Sequence, residues 1–154
     1  MEKDIILPQI KNWRIREIIQ HVSIVSEDST DYKYDMIEQL HLPLSTKEEY
    51  ENMRTDIGWD RMPQHFIFDT DIAGKENEIS KAFMASALGH IEAVIVPCGW
   101  KKPAVKIPTK LFIEDWEGLF SSIGWESVMF SDDFTLIMEI SNKYYLHSNF
   151  FIME

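Results

Sequence analysis

Apolar and polar positions alternate most regularly between Trp125 and Glu154. From Val128 the chain runs VMFSDDFTLIMEISNKYYLHSNFFIM, in which apolar and aromatic runs are broken by Ser131-Asp132-Asp133 and Ser141-Asn142-Lys143. Turn-forming groups between such runs predict an antiparallel meander. Phe134, Leu136, Met138 and Ile140 alternate with Thr135, Ile137, Glu139 and Ser141, so one face is apolar and the other mixed. Tyr145, His147, Asn149 and Phe151 oppose Tyr144, Leu146, Ser148 and Phe150 in the same way. Exposed flat hydrophobic strands aggregate, so the rest of the chain is expected to supply helices that cover this sheet.

Upstream the period lengthens. Ile15, Ile18, Ile19 and Val22 fall at helical spacing after Pro8, which predicts a helix from Pro8 to about Val25, with a strand over His21 to Ser26 as the alternative. Tyr34, Ile37 and Leu40 predict a short helix ending before Pro43. Ser45-Thr46-Lys47-Glu48 fits a capping box opening a helix that runs to about Ile57 and stops at Gly58. His65 to Phe68 reads as a strand, Glu76 to Ile91 as a helix, and Ala93 to Val96 as a fully apolar central strand. Trp100 to Lys110 reads as a lysine-bearing loop, and Lys110 to Ile123 as a last helix. The expected architecture is a single α+β domain, a mainly antiparallel sheet of about five strands built on the C-terminal β-meander and covered by three or four helices.

Charge changes this picture more than composition does. The formal net charge is -11, and Glu27 to Asp60 carries ten acids against Lys33, Lys47 and Arg54. Nucleic acids and anionic membranes are bound through Lys and Arg, so neither is expected as a partner. A solvated acidic face is the plain reading of such a stretch, and a docking surface for a cationic protein is the sharper one. On the sharper reading Asp28, Asp31, Asp35, Glu38, Glu48, Glu49, Glu51, Asp56 and Asp60 contact the partner, joined by Asp132 and Asp133 of the meander turn. Trp59, between Gly58 and Asp60, is the candidate aromatic anchor.

Catalytic signatures are sparse. No P-loop, dinucleotide fingerprint, nucleophile elbow or His-Glu-x-x-His occurs, and no cofactor or metal is expected. His65, Asp69 and Asp71 lie close in sequence, but Asp69-Thr70-Asp71 reads more economically as a polar turn. Cys98 follows a central strand in Val-Pro-Cys-Gly-Trp, where a buried structural thiol is the economical reading. As the single cysteine it excludes an intramolecular disulfide and fits a reducing compartment. The amino-terminal residues lack the basic region and small-residue cleavage site of a secretory signal, and no apolar window reaches a membrane span, so a cytoplasmic location is expected.

The acidic chain with one cysteine and the closing meander FSDDFTLIMEISNKYYLHSNF resembles the small bacterial immunity proteins that neutralise toxin domains of contact-dependent inhibition and related polymorphic toxin systems. The resemblance covers mainly Phe130 to Phe150 and the general build, and it carries over no individual residue. It implies a cytosolic, non-enzymatic protein that binds one toxin, often a nuclease, and blocks its active site or an essential surface. Nuclease domains tend to be basic because their substrate is a polyanion, so an acidic inhibitor would suit them. The competing expectations are a small hydrolase or ligand-binding protein with a pocket near His65, Asp69 and Cys98, and an acidic adaptor. The sequence leaves the oligomeric state open.

Overall fold

Strands with apolar side chains on both faces must be covered on both, and that requirement organises the chain. The computed structural model describes residues 22–153 except 71–73, 100–101, 124–126 and 142–144. Its strands are β1 (Ser23–Ser26), β2 (Phe66–Asp69), β3 (Ala93–Pro97), β4 (Ala104–Pro108), β5 (Ser127–Ser131), β6 (Ile137–Ile140) and β7 (Tyr145–Ser148). They form one seven-stranded sheet in the order β1-β4-β3-β5-β6-β7-β2, antiparallel at every pairing. Among the described residues five α-helices accompany it: α1 (Ser29–Gln39), α2 (Lys47–Met53), α3 (Glu76–Ala85), α4 (Thr109–Glu114) and α5 (Trp116–Ile123). The fold is α+β, as the residue pattern predicts. Among the described residues no helix is long and apolar enough to cross a membrane.

Each face of the sheet has its own core. On one, Phe83 of α3, Phe112 of α4 and Trp116 and Phe120 of α5 pack as tilted and edge-to-face rings over Val94, Met129 and Leu146. On the other, Ile37 of α1 joins Ile57 and Trp59 over Ile95, Phe130 and Ile137. The mixed face expected for the middle meander strand is therefore as deeply covered as the apolar one, and every residue of β6 is buried, Glu139 included.

Several boundaries differ from the sequence expectation, for local reasons. Of the amino-terminal helix expected from Pro8, residues 8–21 lie outside the described residues, and Ser23–Ser26 is the alternative strand. The second helix is capped by Thr46 with Glu49, because Ser45 donates its backbone N–H to the Asp56 carbonyl at 2.8 Å. It ends at Met53, where Arg54 turns left-handed at φ 58°, and Ile57 leaves the helix to bridge Leu44. The third helix stops at Ala85: the Ser86 hydroxyl donates to the Phe83 carbonyl at 2.6 Å and accepts from the Leu88 N–H, so the chain continues as a 3-10 turn over Ala87–His90. Gly89 sits so tightly on the Met84 carbonyl that no Cβ fits between them.

The lysine-bearing loop is a correction. Ala104–Pro108 is β4, paired with β1 and β3, because Val105 and Ile107 bury on one face while Lys106 projects from the other. The last helix divides at Asp115 into α4 and α5, which raises the helix count.

Candidate functional site

Helix α1 is amphipathic in an unusual sense. Met36, Ile37 and Leu40 face the sheet, while Asp31, Asp35 and Glu38 follow one another at i, i+4 and i+7 on the opposite face and are exposed. The helix is firmly seated. Asp28 caps it by accepting from the Asp31 N–H at 3.0 Å, and the Ser29 hydroxyl donates to the Gly99 carbonyl at 2.6 Å, pinning the first turn to the β3–β4 connection. Burying Ile37 adds about 1.5–3 kcal/mol. Among the described residues no ion pair or hydrogen bond occupies the carboxylates of Asp31, Asp35 and Glu38. A row of like charges on one helix face is mildly destabilising, and here it is held rigid against a packed sheet.

The other acidic candidates divide. Glu48, Glu51 and Asp60 are exposed. Glu49 is held by Arg61, whose Nη2 and Nε donate to its two oxygens at 2.7 and 3.3 Å, and this lowers the Glu49 pKa to about 2. Asp56 accepts from Lys33 Nζ at 2.7 Å and from the Tyr34 hydroxyl at 3.1 Å. Asp132 lies 3.9 Å from Lys106 Nζ. Asp133 accepts from the Ser131 and Thr135 hydroxyls, both at 2.7 Å, which lower its pKa and close the β5–β6 turn. Glu49, Asp56 and Asp133 thus serve this chain's own loops.

Trp59 is a second correction. It is fully buried, 0% exposed, because its indole is needed inside to donate to a carboxylate, and so it cannot anchor a partner. That carboxylate is Glu139 of β6, 2% exposed, which accepts from the Asp56 N–H at 2.6 Å, the Ile57 N–H at 3.1 Å and Trp59 Nε1 at 2.9 Å. Burial pushes its pKa up to about 8 against the pull of these donors. Beside it in register stands His147 of β7, whose Nδ1 lies 2.8 Å from His65 Nε2. One of the two nitrogens must carry the proton between them. Burial lowers the pKa of both imidazoles, that of His147 to about 4, so both are neutral at pH 7 and their rings lie within 30° of parallel to the Trp59 indole.

These residues form a polar knot that fastens the Asp56–Trp59 turn to the sheet. Sequence reasoning registered Glu139 only as one member of a mixed face. The available signal was a carboxylate in mid-strand with an apolar residue on each side, Met138 and Ile140.

Among the described residues His65, Asp69 and Cys98 do not come together around one pocket. Cys98 follows β3 while His65 precedes β2 and Asp69 ends it, four strand spacings away across the sheet, about 19 Å at the usual interstrand distance. His65 and Asp69 are themselves four residues apart along one strand, about 13 Å. Asp71 lies outside the described residues. Cys98 is 1% exposed, its thiol donates to the Val96 carbonyl, and burial pushes its pKa up to about 12, so it is a poor nucleophile. Among the described residues no group of three or more His, Cys, Asp or Glu is arranged to hold a metal ion. No protein family, curated protein or solved structure matches this chain.

Proposed function

We propose that this protein is an immunity protein that binds a basic toxin domain, in the manner of the contact-dependent inhibition systems it resembles, and neutralises it by stoichiometric occlusion. The observation that carries the reading is the exposed row Asp31, Asp35 and Glu38, without neutralising partners among the described residues, on a chain of net charge -11. Helix α1 offers these carboxylates at fixed spacing, so little ordering entropy opposes their pairing with Arg and Lys of the partner. Glu48, Glu51 and Asp60 extend the same field. Such a surface speeds encounter with a basic domain and rejects acidic ones, and against a nuclease it occupies ground that nucleic acid phosphates would otherwise take. On this reading the protein works in the cytoplasm and catalyses no reaction.

The test is to establish whether the adjoining gene encodes a basic toxin domain, and to measure binding of that domain by calorimetry at two salt concentrations. A one-to-one complex that weakens as salt rises is expected. A toxin domain that binds equally well to a protein with Asp31, Asp35 and Glu38 reversed to Lys would remove α1 as the contact. No binding at all would remove the immunity reading.

A further inference from the structure

The stretch from Glu27 to Asp60 holds only three cations, Lys33, Lys47 and Arg54, and the fold gathers all three around one cleft. This cleft, of about 360 Å³, is walled by Tyr34 of α1, Tyr50 of α2 and Leu44. It opens to solvent: those side chains are 41%, 37% and 53% exposed. Lys47 lines it, Lys33 Nζ stands 4.8 Å from the centre of the Tyr34 ring, and Arg54 Cζ stands 5.4 Å from that of Tyr50. Asp56 is the one carboxylate among the lining residues, and it is already engaged: one oxygen accepts from Lys33 and the other from the Tyr34 hydroxyl. Among the described residues no partner engages the Lys47 ammonium or the Ser45 hydroxyl, both on the lining.

The cleft is preformed. Ser45 donates its N–H to the Asp56 carbonyl at 2.8 Å, the Leu44 carbonyl accepts from Arg61 Nη2 at 2.6 Å, and Leu44 bridges Ile57. The N–H groups of Asp56 and Ile57 end on the buried Glu139 carboxylate. The polar knot therefore fixes the cleft from beneath, and a ligand loses little free energy to ordering it.

We infer that this cleft binds a small planar aromatic molecule carrying one carboxylate, its ring against Tyr34 and Tyr50 and its carboxylate on Lys47. Two phenol rings and Leu44 offer such a ring stacking and dispersion contacts. Lys47 supplies a charge-assisted hydrogen bond, and turning the Ser45 hydroxyl toward the same carboxylate breaks no existing bond. Charge selects the class. A cationic ligand would meet three cations and a carboxylate that is already paired. A polyanion would meet the field of a chain of net charge -11, with Glu48 and Glu51 exposed on α2. A single carboxylate satisfies both conditions. The inference goes beyond the toxin contact and does not rest on it, since it uses none of Asp31, Asp35 and Glu38.

The experiment titrates the intact protein, followed by amide NMR, with three probes: naphthoate, the neutral naphthamide and the cationic naphthylmethylammonium. Saturable binding of naphthoate is expected, with shifts of the Ser45, Lys47 and Tyr50 amides. Naphthamide should bind about tenfold more weakly, for want of the charge-assisted bond, and the ammonium probe more weakly still. Lys47→Gln should weaken naphthoate about tenfold, whereas Lys81→Gln, an equal change of net charge at an exposed site of α3, should not. Matching urea unfolding of both variants checks that neither disturbs the fold. No shifts at the cleft with millimolar naphthoate, binding of naphthamide or the ammonium probe as tight as that of naphthoate, full naphthoate affinity in Lys47→Gln, or equal weakening in Lys81→Gln would each overturn the inference. None of these outcomes bears on whether a toxin domain binds at α1.

Discussion

Acidic side chains in two regions of this protein meet different fates. In the segment from Thr46 to Asp60, Glu48, Glu51 and Asp60 are exposed, but two carboxylates serve the chain itself: Glu49 closes a capping box and grips Arg61, and Asp56 takes Lys33 and Tyr34. On the outer face of α1, Asp31, Asp35 and Glu38 stand in solvent, without such partners among the described residues. What separates them is geometry. The first group sits where a turn folds back over the sheet and brings cations within reach, whereas the second sits on the side of a helix whose other side is the one that packs. Counting charges along a sequence cannot make this distinction, and it decides which residues are available to a partner.

The comparison predicts that substitutions in the internal network cost stability and that those on α1 cost binding. Glu139→Ala should have the largest effect. It strips the acceptor from three N–H groups, two of them buried and that of Asp56 partly so, for a loss of about 3–5 kcal/mol in urea unfolding. Phe83→Ala on the opposite, apolar face should cost a similar ~3–5 kcal/mol through a cavity. The two losses differ in kind: Glu139→Gln should recover part of the first, since its amide oxygen still accepts, and no polar isostere should rescue the second.

The next effect is on pH. The Glu139 pKa is raised from 4.5 to about 8, so between the two values the folded state holds a proton that the unfolded chain has lost, and stability falls as pH rises. The His147 pKa is lowered from 6.5 to about 4, so stability rises with pH between those values. From pH 4.5 to 6.5 the Glu139 slope is opposed by that of His147, and by that of His65, whose pKa is also lowered by burial; from 6.5 to 8 the Glu139 contribution stands alone and removes about 2 kcal/mol. Chemical unfolding across this range should show that fall in the parent protein and not in Glu139→Gln. Asp56→Asn should cost less, about 1 kcal/mol, because the pair with Lys33 is only partly buried. Single Lys replacements at Asp31, Asp35 or Glu38 should move stability by no more than about 0.5 kcal/mol, measured by the same unfolding experiment.

Much of the fold was legible. The meander, the central strand Ala93–Pro97 and the strand after His65 declared themselves by alternation or by an unbroken apolar run. β4 was hidden because Lys101, Lys102, Lys106 and Lys110 dominate the impression of a segment whose decisive residues are Val105 and Ile107. The capping box was misplaced by one position because Ser45–Glu48 and Thr46–Glu49 both satisfy the pattern, and only the bridge between Leu44 and Ile57 selects the second. Within the candidate site the acids were visible and their partners were not: Arg61 lies 12 positions from Glu49, and Glu139 lies 83 from Asp56. Trp59 drew attention as a tryptophan beside a charge, whereas its place is fixed by a carboxylate eighty positions away.

The most direct measurement of the proposed function is calorimetry of a candidate basic toxin domain against the parent protein and two variants, one with Asp31, Asp35 and Glu38 changed to Lys and one with Glu48 and Glu51 changed to Lys, each checked for unaltered unfolding. The account predicts that the α1 variant loses binding by a hundredfold or more, roughly 1–1.5 kcal/mol for each reversed contact, while the second variant loses much less. Full affinity in the α1 variant would contradict it.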